Sequence, residues 1–351
     1  MGLTMCSESL PASEAERMMM YLSIGGEDRI ALWSVDPQTG VANEVGSVDT
    51  GGGAGALALN NDETRLYAAV RTNNEVVAYQ VNESTGGLTE LGRTPVLANP
   101  VYVATDKTGR FLLTAYYGEA KAAVYAIGED GVLKPEPVCV VDSTRHPHSI
   151  RVDLDNQNVY IPNTGADLIQ QFKFNVESGE LTPLEPADVK TAEKSGARHF
   201  TFDPTNSFVY FVNEHDCHVD VFQRDKSTGA LTQIQSISTL PEGYTEKSYC
   251  ADIEITPDGK YIYASNRGHD SLAMYSIDSS TGKLTSLGQV STEAWPREFG
   301  LDPTGSFVYS AGQNSHKLAA YRIDPATGVL TQFATWPVGQ SPAWVLVKTL
   351  K

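Results

Sequence analysis

PREFGLDPTGSFVYSAGQNSHKLAAYRIDPATGVLTQF, residues 296–333, decides the fold. Three short apolar runs centre on Phe299, Val308 and Ala320, and a fourth begins at Leu330. DPTG separates the first two runs and DPATG the last two, the turn chemistry that joins antiparallel strands. The stretch therefore predicts a four-stranded sheet. Alone, such a sheet has two exposed edges and is marginally stable.

The pattern recurs along the chain. Tyr309 and Tyr321, twelve residues apart, have counterparts at Tyr21/Trp33, Tyr67/Tyr79, Leu113/Tyr125, Tyr160/Phe172, Tyr210/Phe222 and Tyr263/Tyr275. A turn glycine lies seven residues after the second member at Gly40, Gly86, Gly179, Gly229, Gly282 and Gly328, and six after it at Gly131. The first members of the pairs are 46 to 53 residues apart. A period of this length with several strands in each unit predicts an all-β, seven-bladed β-propeller with four antiparallel strands per blade. Six units open with an innermost strand: ALALN, VYVAT, SIRVD, HFTFD, DIEIT and EFGLD. The first unit lacks one, and the chain ends with PAWVLV, Pro342–Val347. The C-terminal strand is thus expected to join blade one and close the ring, which removes an open edge.

The 351 residues divide into a leader, 1–17, expected to be disordered, and a single propeller domain, 18–351. The leader has no cationic start followed by an apolar core, so no secretory signal is read there. No apolar run reaches membrane-spanning length. With 43 acidic against 26 basic residues the net charge is −17, which argues against nucleic acid or an anionic membrane as partner. Cys6, Cys139, Cys217 and Cys250 have no CxxC spacing, so reduced thiols in a cytoplasmic monomer are expected and a zinc site is not. The glycine-rich TGGGAGA, Thr50–Ala56, leads into a strand and lacks GK[ST], so it is no phosphate loop.

Superimposing the units shows where polarity breaks the repeat. Twelve residues before the first member of each pair lie Gly55, Val101, His148, Arg198, Ala251 and Arg297. Four residues after it lie Gly25, Arg71, Tyr117, Thr164, Glu214, Arg267 and Gln313. Antiparallel pairing brings both sets to one end of the central channel, a usual binding face of propellers. Asn163, Asn213 and Asn266, one residue earlier, are expected to add amides to the rim. Structural necessity would place similar residues in every blade; difference at equivalent positions marks a site on a symmetric scaffold.

ARHFTFDP, FVNE (211–214), ADIEITPDG, SNRG (265–268), PREFGLDPTG, AGQNS (311–315) and VGQSPAWV (338–345) resemble the seven-bladed propeller lactonase family. Its bacterial members include 6-phosphogluconolactonases, and fungal carboxy-cis,cis-muconate cyclases are similar. From the family's HS, RH, NE and PR motifs the resemblance implies His148, Arg198, Glu214 and Arg297 as the catalytic set, while His146 is not carried over. Arg71, Tyr117, His199, Asn213, Asp252, Arg267 and Gln313 are expected to bind a small anionic lactone, with no cofactor. Lactone hydrolysis needs a base for water, a stabilised oxyanion and a protonated leaving group. Histidine titrates near neutrality, Glu214 either orients it or is itself the base, and arginines match phosphate, carboxylate or oxyanion.

Three alternatives stay open from the residues alone. A muconate-type enzyme would use the same parts. A metal site built from Asn163, Asn213, Glu214 and Asp252 is opposed by the surrounding arginines. A non-catalytic scaffold has no need of a proton carrier in a charged channel.

Overall fold

The tyrosines that set the period are the bolts of the ring. In the computed structural model, which describes residues 17–351, Tyr309 donates its hydroxyl hydrogen to Gly40 O at 2.8 Å, across the seam from blade seven to blade one. Tyr21 does the same to Gly86, Tyr67 to Gly131, Tyr160 to Gly229, Tyr210 to Gly282 and Tyr263 to Gly328. Leu113 has no hydroxyl, so the seam from blade three to blade four lacks this bond. The turn glycines are required twice over. Gly328 has φ +72, and a Cβ there would lie 2.2 Å from the ring of Tyr261.

Each of the seven sheets has four antiparallel strands. Blade one comprises Pro342–Thr349, Met18–Ile24, Arg29–Val35 and Ala42–Asp49, in that spatial order. The C-terminal strand pairs as expected, with Leu22 opposite Val345 and Met20 opposite Val347. The described residues contain no helix. Apolar side chains fill the seams between neighbouring blades, as in the cluster joining Met20 and Trp33 of blade one to Tyr309 and Ala320 of blade seven. Arg17, assigned to the leader, accepts the Leu350 N–H at 2.7 Å. The rest of the leader, with Cys6, lies outside the described residues.

One innermost strand is shorter than its sequence. SIRVD reads as five residues of strand, yet only Arg151–Val152 pair regularly. His146 has φ 54, Pro147 forms an isolated bridge to Asn163, and His148 N–H donates to Pro162 O at 3.2 Å. Proline cannot extend a regular ladder. The result is a local departure that turns His148 toward blade five.

Candidate active site

Bulges place the charged residues. The innermost strands of blades five and seven shift register between Ala197 and His199 and between Pro296 and Glu298. A bulge breaks the alternation of faces, so two consecutive side chains serve one site. Arg198 with His199, and Arg297 with Glu298, are such pairs.

His148, buried at the channel wall, lies with Nδ1 3.2 Å from His199 Nε2, and His199 Nδ1 lies 3.0 Å from Asp252 Oδ1. Asp252 is held below the usual carboxylate range: burial pushes it up, but the His199 N–H and a hydrogen bond from Glu298 outweigh that. Burial, then the charge of Asp252, keeps Glu298 protonated well above its usual range. The order of donors follows. Glu298 donates to Asp252, His199 Nδ1–H donates to Asp252, and His148 Nδ1–H donates to His199 Nε2. His148 Nε2 is left as the one free basic nitrogen of the chain. Burial, together with Arg198, drives both imidazoles down, His199 to about 3, so both are neutral at pH 7.

Arg198 is fully buried, and among the described residues its Nε and Nη2 have no hydrogen-bond partner. Its Nη1 donates to Ala251 O, and it lies 3.6 Å from Glu214 and 3.7 Å from Glu298. Burial and two neighbouring arginines, Arg267 and Arg297, bring it down to about 10. Glu214 is desolvated, yet Arg198 and Arg267 outweigh the burial and hold it below the usual range; Arg267 Nη2 donates to its Oε1 at 2.7 Å. Arg267 also lies over the Trp295 ring, 5.6 Å from its centroid. Arg297 and Arg71 are lowered mainly by burial and partly by other arginines, so the mouth concentrates positive charge in an acidic protein.

Arg71 donates to Asn99 Oδ1 at 3.0 Å, and a Cβ on Gly55 would strike its Cδ at 2.7 Å, so the glycine makes room for the arginine. Arg71, Thr72, Asn99 and Gln313 line a cavity of about 360 Å³ among glycine-rich loops. A separate gap of about 10 Å³ is lined by Arg71, Arg297 and His148. Small-molecule sites have roughly 300–1,000 Å³. Tyr117 packs edge-on to His148, with ring centroids 5.6 Å apart, and stacks on His146 at 4.2 Å.

The fold brings His148, Glu214, Arg198, Arg297, Arg267, Arg71, Tyr117 and Gln313 to one mouth. His199 and Asp252, expected to touch substrate, instead stand buried behind His148. The rim asparagines turn away, because the residue before an inward-facing one points into the blade. Asn213 donates to Asp220 at 3.0 Å, Asn266 to Thr239 O, and Asn163 to Ile161 O. Sequence reasoning missed Glu298. Its signal was the repeat itself: His199, Asp252 and Glu298 share the position eleven residues before Tyr210, Tyr263 and Tyr309.

Those three residues hold potential metal-donor atoms within 4.8 Å of one another. The donor set suits a cation poorly, since one carboxyl carries a bridging proton and Arg198 sits 3.7 Å from it.

The description "Lactonase, 7-bladed beta-propeller" matches residues 19–347. The 6-phosphogluconolactonases of Erwinia tasmaniensis and Pectobacterium carotovorum are 35% and 34% identical over 334 residues, 95% of this chain and 99% of theirs. The structure of the Pseudomonas aeruginosa periplasmic gluconolactonase superposes with a TM-score of 0.86 at 25% identity, covering 95% of this chain and 99% of its own. A Bacteroides fragilis structure gives 0.87 at 26% identity, over 96% and 99%.

Proposed function

This chain belongs to the seven-bladed β-propeller lactonase family, and from that premise we propose that it hydrolyses 6-phosphogluconolactone to 6-phosphogluconate, with His148 as general base. The observation that carries this is a fully buried arginine, Arg198, with two donors unpartnered among the described residues, beside a histidine whose free nitrogen is fixed by a hydrogen-bonded chain.

Water is deprotonated by His148 Nε2 and attacks the lactone carbonyl. The carbonyl oxygen becomes an oxyanion stabilised by the Arg198 guanidinium, whose buried donors are uncovered as substrate enters. Collapse breaks the ring C–O bond, and the imidazolium returns its proton to the leaving alkoxide, so the base is regenerated. Asp252 acts through His199, holding the tautomer and offsetting the positive charge on His148. The arginines oppose that charge in the empty site; an anionic substrate neutralises them and makes protonation easier. Glu214, gripped by Arg267 and facing Arg198, fixes those arginines instead of serving as base. Arg71 and Arg297 receive the phosphate.

The same reading makes the protein a monomer in the cytoplasm, acting in the pentose phosphate pathway. In support of the compartment, Cys139, Cys217 and Cys250 are free thiols.

A lactone panel tests the proposal: 6-phosphogluconolactone, gluconolactone, muconolactone and γ-butyrolactone, with and without EDTA, spontaneous hydrolysis subtracted. The expected result is preference for the phosphorylated lactone, unaffected by EDTA. Preference for gluconolactone would remove the phosphate role of Arg71 and Arg297. Activity on muconolactone alone, or loss with EDTA, would overturn the assignment.

A further inference from the structure

The channel has a second mouth, and the repeat lines it too. Nine residues before Tyr160 and Tyr263 lie Arg151 and Glu254, at positions held by Ala58 and Ala104 in blades two and three. With Lys107 they border a cavity of about 290 Å³ at the opposite end from the arginine cluster. Its inner wall includes Tyr102 and Trp344, whose rings meet edge to face at 5.4 Å; Tyr102 also meets His199, at 5.1 Å. These two rings separate the cavity from the His148 chain.

Neither cation here is neutralised. Arg151 Nη1 donates to the Phe200 carbonyl at 2.9 Å, and among the described residues its guanidinium has no carboxylate within 4 Å. Among the same residues Lys107 Nζ makes no hydrogen bond and no ion pair, and burial followed by the charge of Arg151 holds its pKa below the usual range. The nearby acids are already engaged. Asp106 accepts from the backbone N–H groups of Thr108, Arg110 and Phe111 and from the Asn156 amide. Asp153 is paired with Arg224. Two part-buried cations with no ion pair among the described residues, facing one cavity in a chain of net charge −17, need an explanation other than the protein's general charge.

We propose that this lower mouth is a binding site for a small oxyanion of the phosphate class, held by Lys107 and Arg151 with Glu254 as a hydrogen-bond donor. It is separate from the catalytic mouth and does not depend on the identity of the lactone. Glu254 suits the donor role. Burial, and then the charge of Asp252 on its own strand, push it up to about 8, so it carries a proton at neutral pH. The other charged or titratable groups facing it are Arg151 of blade four, and Tyr102, Asp106 and Lys107 of blade three. Above pH 8 Glu254 ionises, its donor becomes a negative charge beside the anion, and binding weakens. Below pH 8 the donor is present and binding is full.

Inorganic phosphate is the probe, titrated into protein carrying ¹⁵N-labelled tryptophan. Trp344 borders the lower mouth and also the gap beside Arg297, so the variants assign its movement, while Trp295, beneath Arg267, reports the upper mouth. In the intact protein both signals are expected to move, with separate midpoints. Lys107→Gln removes one charged contact and should weaken the Trp344 curve about 10- to 100-fold while leaving Trp295 and kcat unchanged. Arg297→Lys should do the reverse. Glu254→Gln keeps a neutral donor and should reduce the loss of affinity between pH 7 and 9, the remainder following Lys107, whose lowered pKa costs positive charge as pH rises. A Trp344 signal that stays still, or that follows Arg297→Lys and ignores Lys107→Gln, overturns the proposal. Lys107 is part-buried, so the variant's thermal transition is measured alongside; a folded Lys107→Gln with an unchanged Trp344 curve overturns the proposal.

Discussion

At the seams, six of seven blades present the same tyrosine to the same kind of turn glycine. At the mouth, the residues twelve positions before the repeat anchors (five of those tyrosines and Leu113) are Gly55, Val101, His148, Arg198, Ala251 and Arg297. The two sets sit on neighbouring strands of each blade, the tyrosines on the second and the mouth residues on or just before the innermost. The seams must satisfy one geometric problem repeatedly, so one solution recurs. A mouth built for a single asymmetric molecule, as proposed above, takes something different from each blade. Blades four to seven supply the proposed base, its supports and three arginines, while Gly55 of blade two leaves space for Arg71.

Opening the ring is the severest way to break the seam side of this comparison. Deleting Pro342–Lys351 removes the innermost strand of blade one and exposes the edge of Met18–Ile24. Soluble expression is expected to be lost, and a folded, soluble truncation seen by circular dichroism would show that the ring does not need closing.

A change at the mouth should do the opposite, removing activity while sparing the fold. General acid–base catalysis is typically worth about 10²–10⁴ in rate. His148→Ala is therefore expected to lose about that much kcat, with its thermal transition within a few degrees of the parent. A variant within tenfold of the parent would move the base elsewhere, to Glu214 first.

The smallest effect belongs to a single bolt. Tyr309→Phe deletes one buried hydrogen bond to Gly40 O and should cost about 1 kcal/mol in urea unfolding, with kcat and KM unchanged. A change in kinetics instead of stability would mean that seam and mouth are not independent.

The seams were legible in the sequence because their physics is local and repeated: a tyrosine, an aromatic residue twelve later, a glycine seven beyond. Even so, the reason for the pairing became visible only when Tyr309 and Gly40, far apart in the chain, met across the closure. The mouth was legible in part. Alternation along a strand predicts which end a residue reaches, and it placed His148, Glu214 and the arginines correctly at one end. It failed where the backbone departs from alternation. The bulge at Pro296–Glu298 brings Glu298 into the site beside Arg297, and His146–Pro147 turns His148 out of the ladder. Asn213 was expected at the rim because it precedes Glu214, yet that single step points it into the blade toward Asp220. His199 and Asp252, expected to touch substrate, lie buried behind His148, a depth that repeat position does not reveal.

The central claim is that the Asp252–His199–His148 chain leaves a neutral imidazole with a free Nε2. NMR of the resting enzyme carrying ¹⁵N-labelled histidine, with His148→Ala and His199→Gln for assignment, tests it directly. Burial and the neighbouring arginines lower His148 well below 6.5, so its signal should remain neutral as pH falls from 8 through 6.5. Both His148 and His199 should show the Nδ1–H tautomer throughout that range. A His148 that titrates at or above pH 6.5, or that carries its proton on Nε2, would contradict the account.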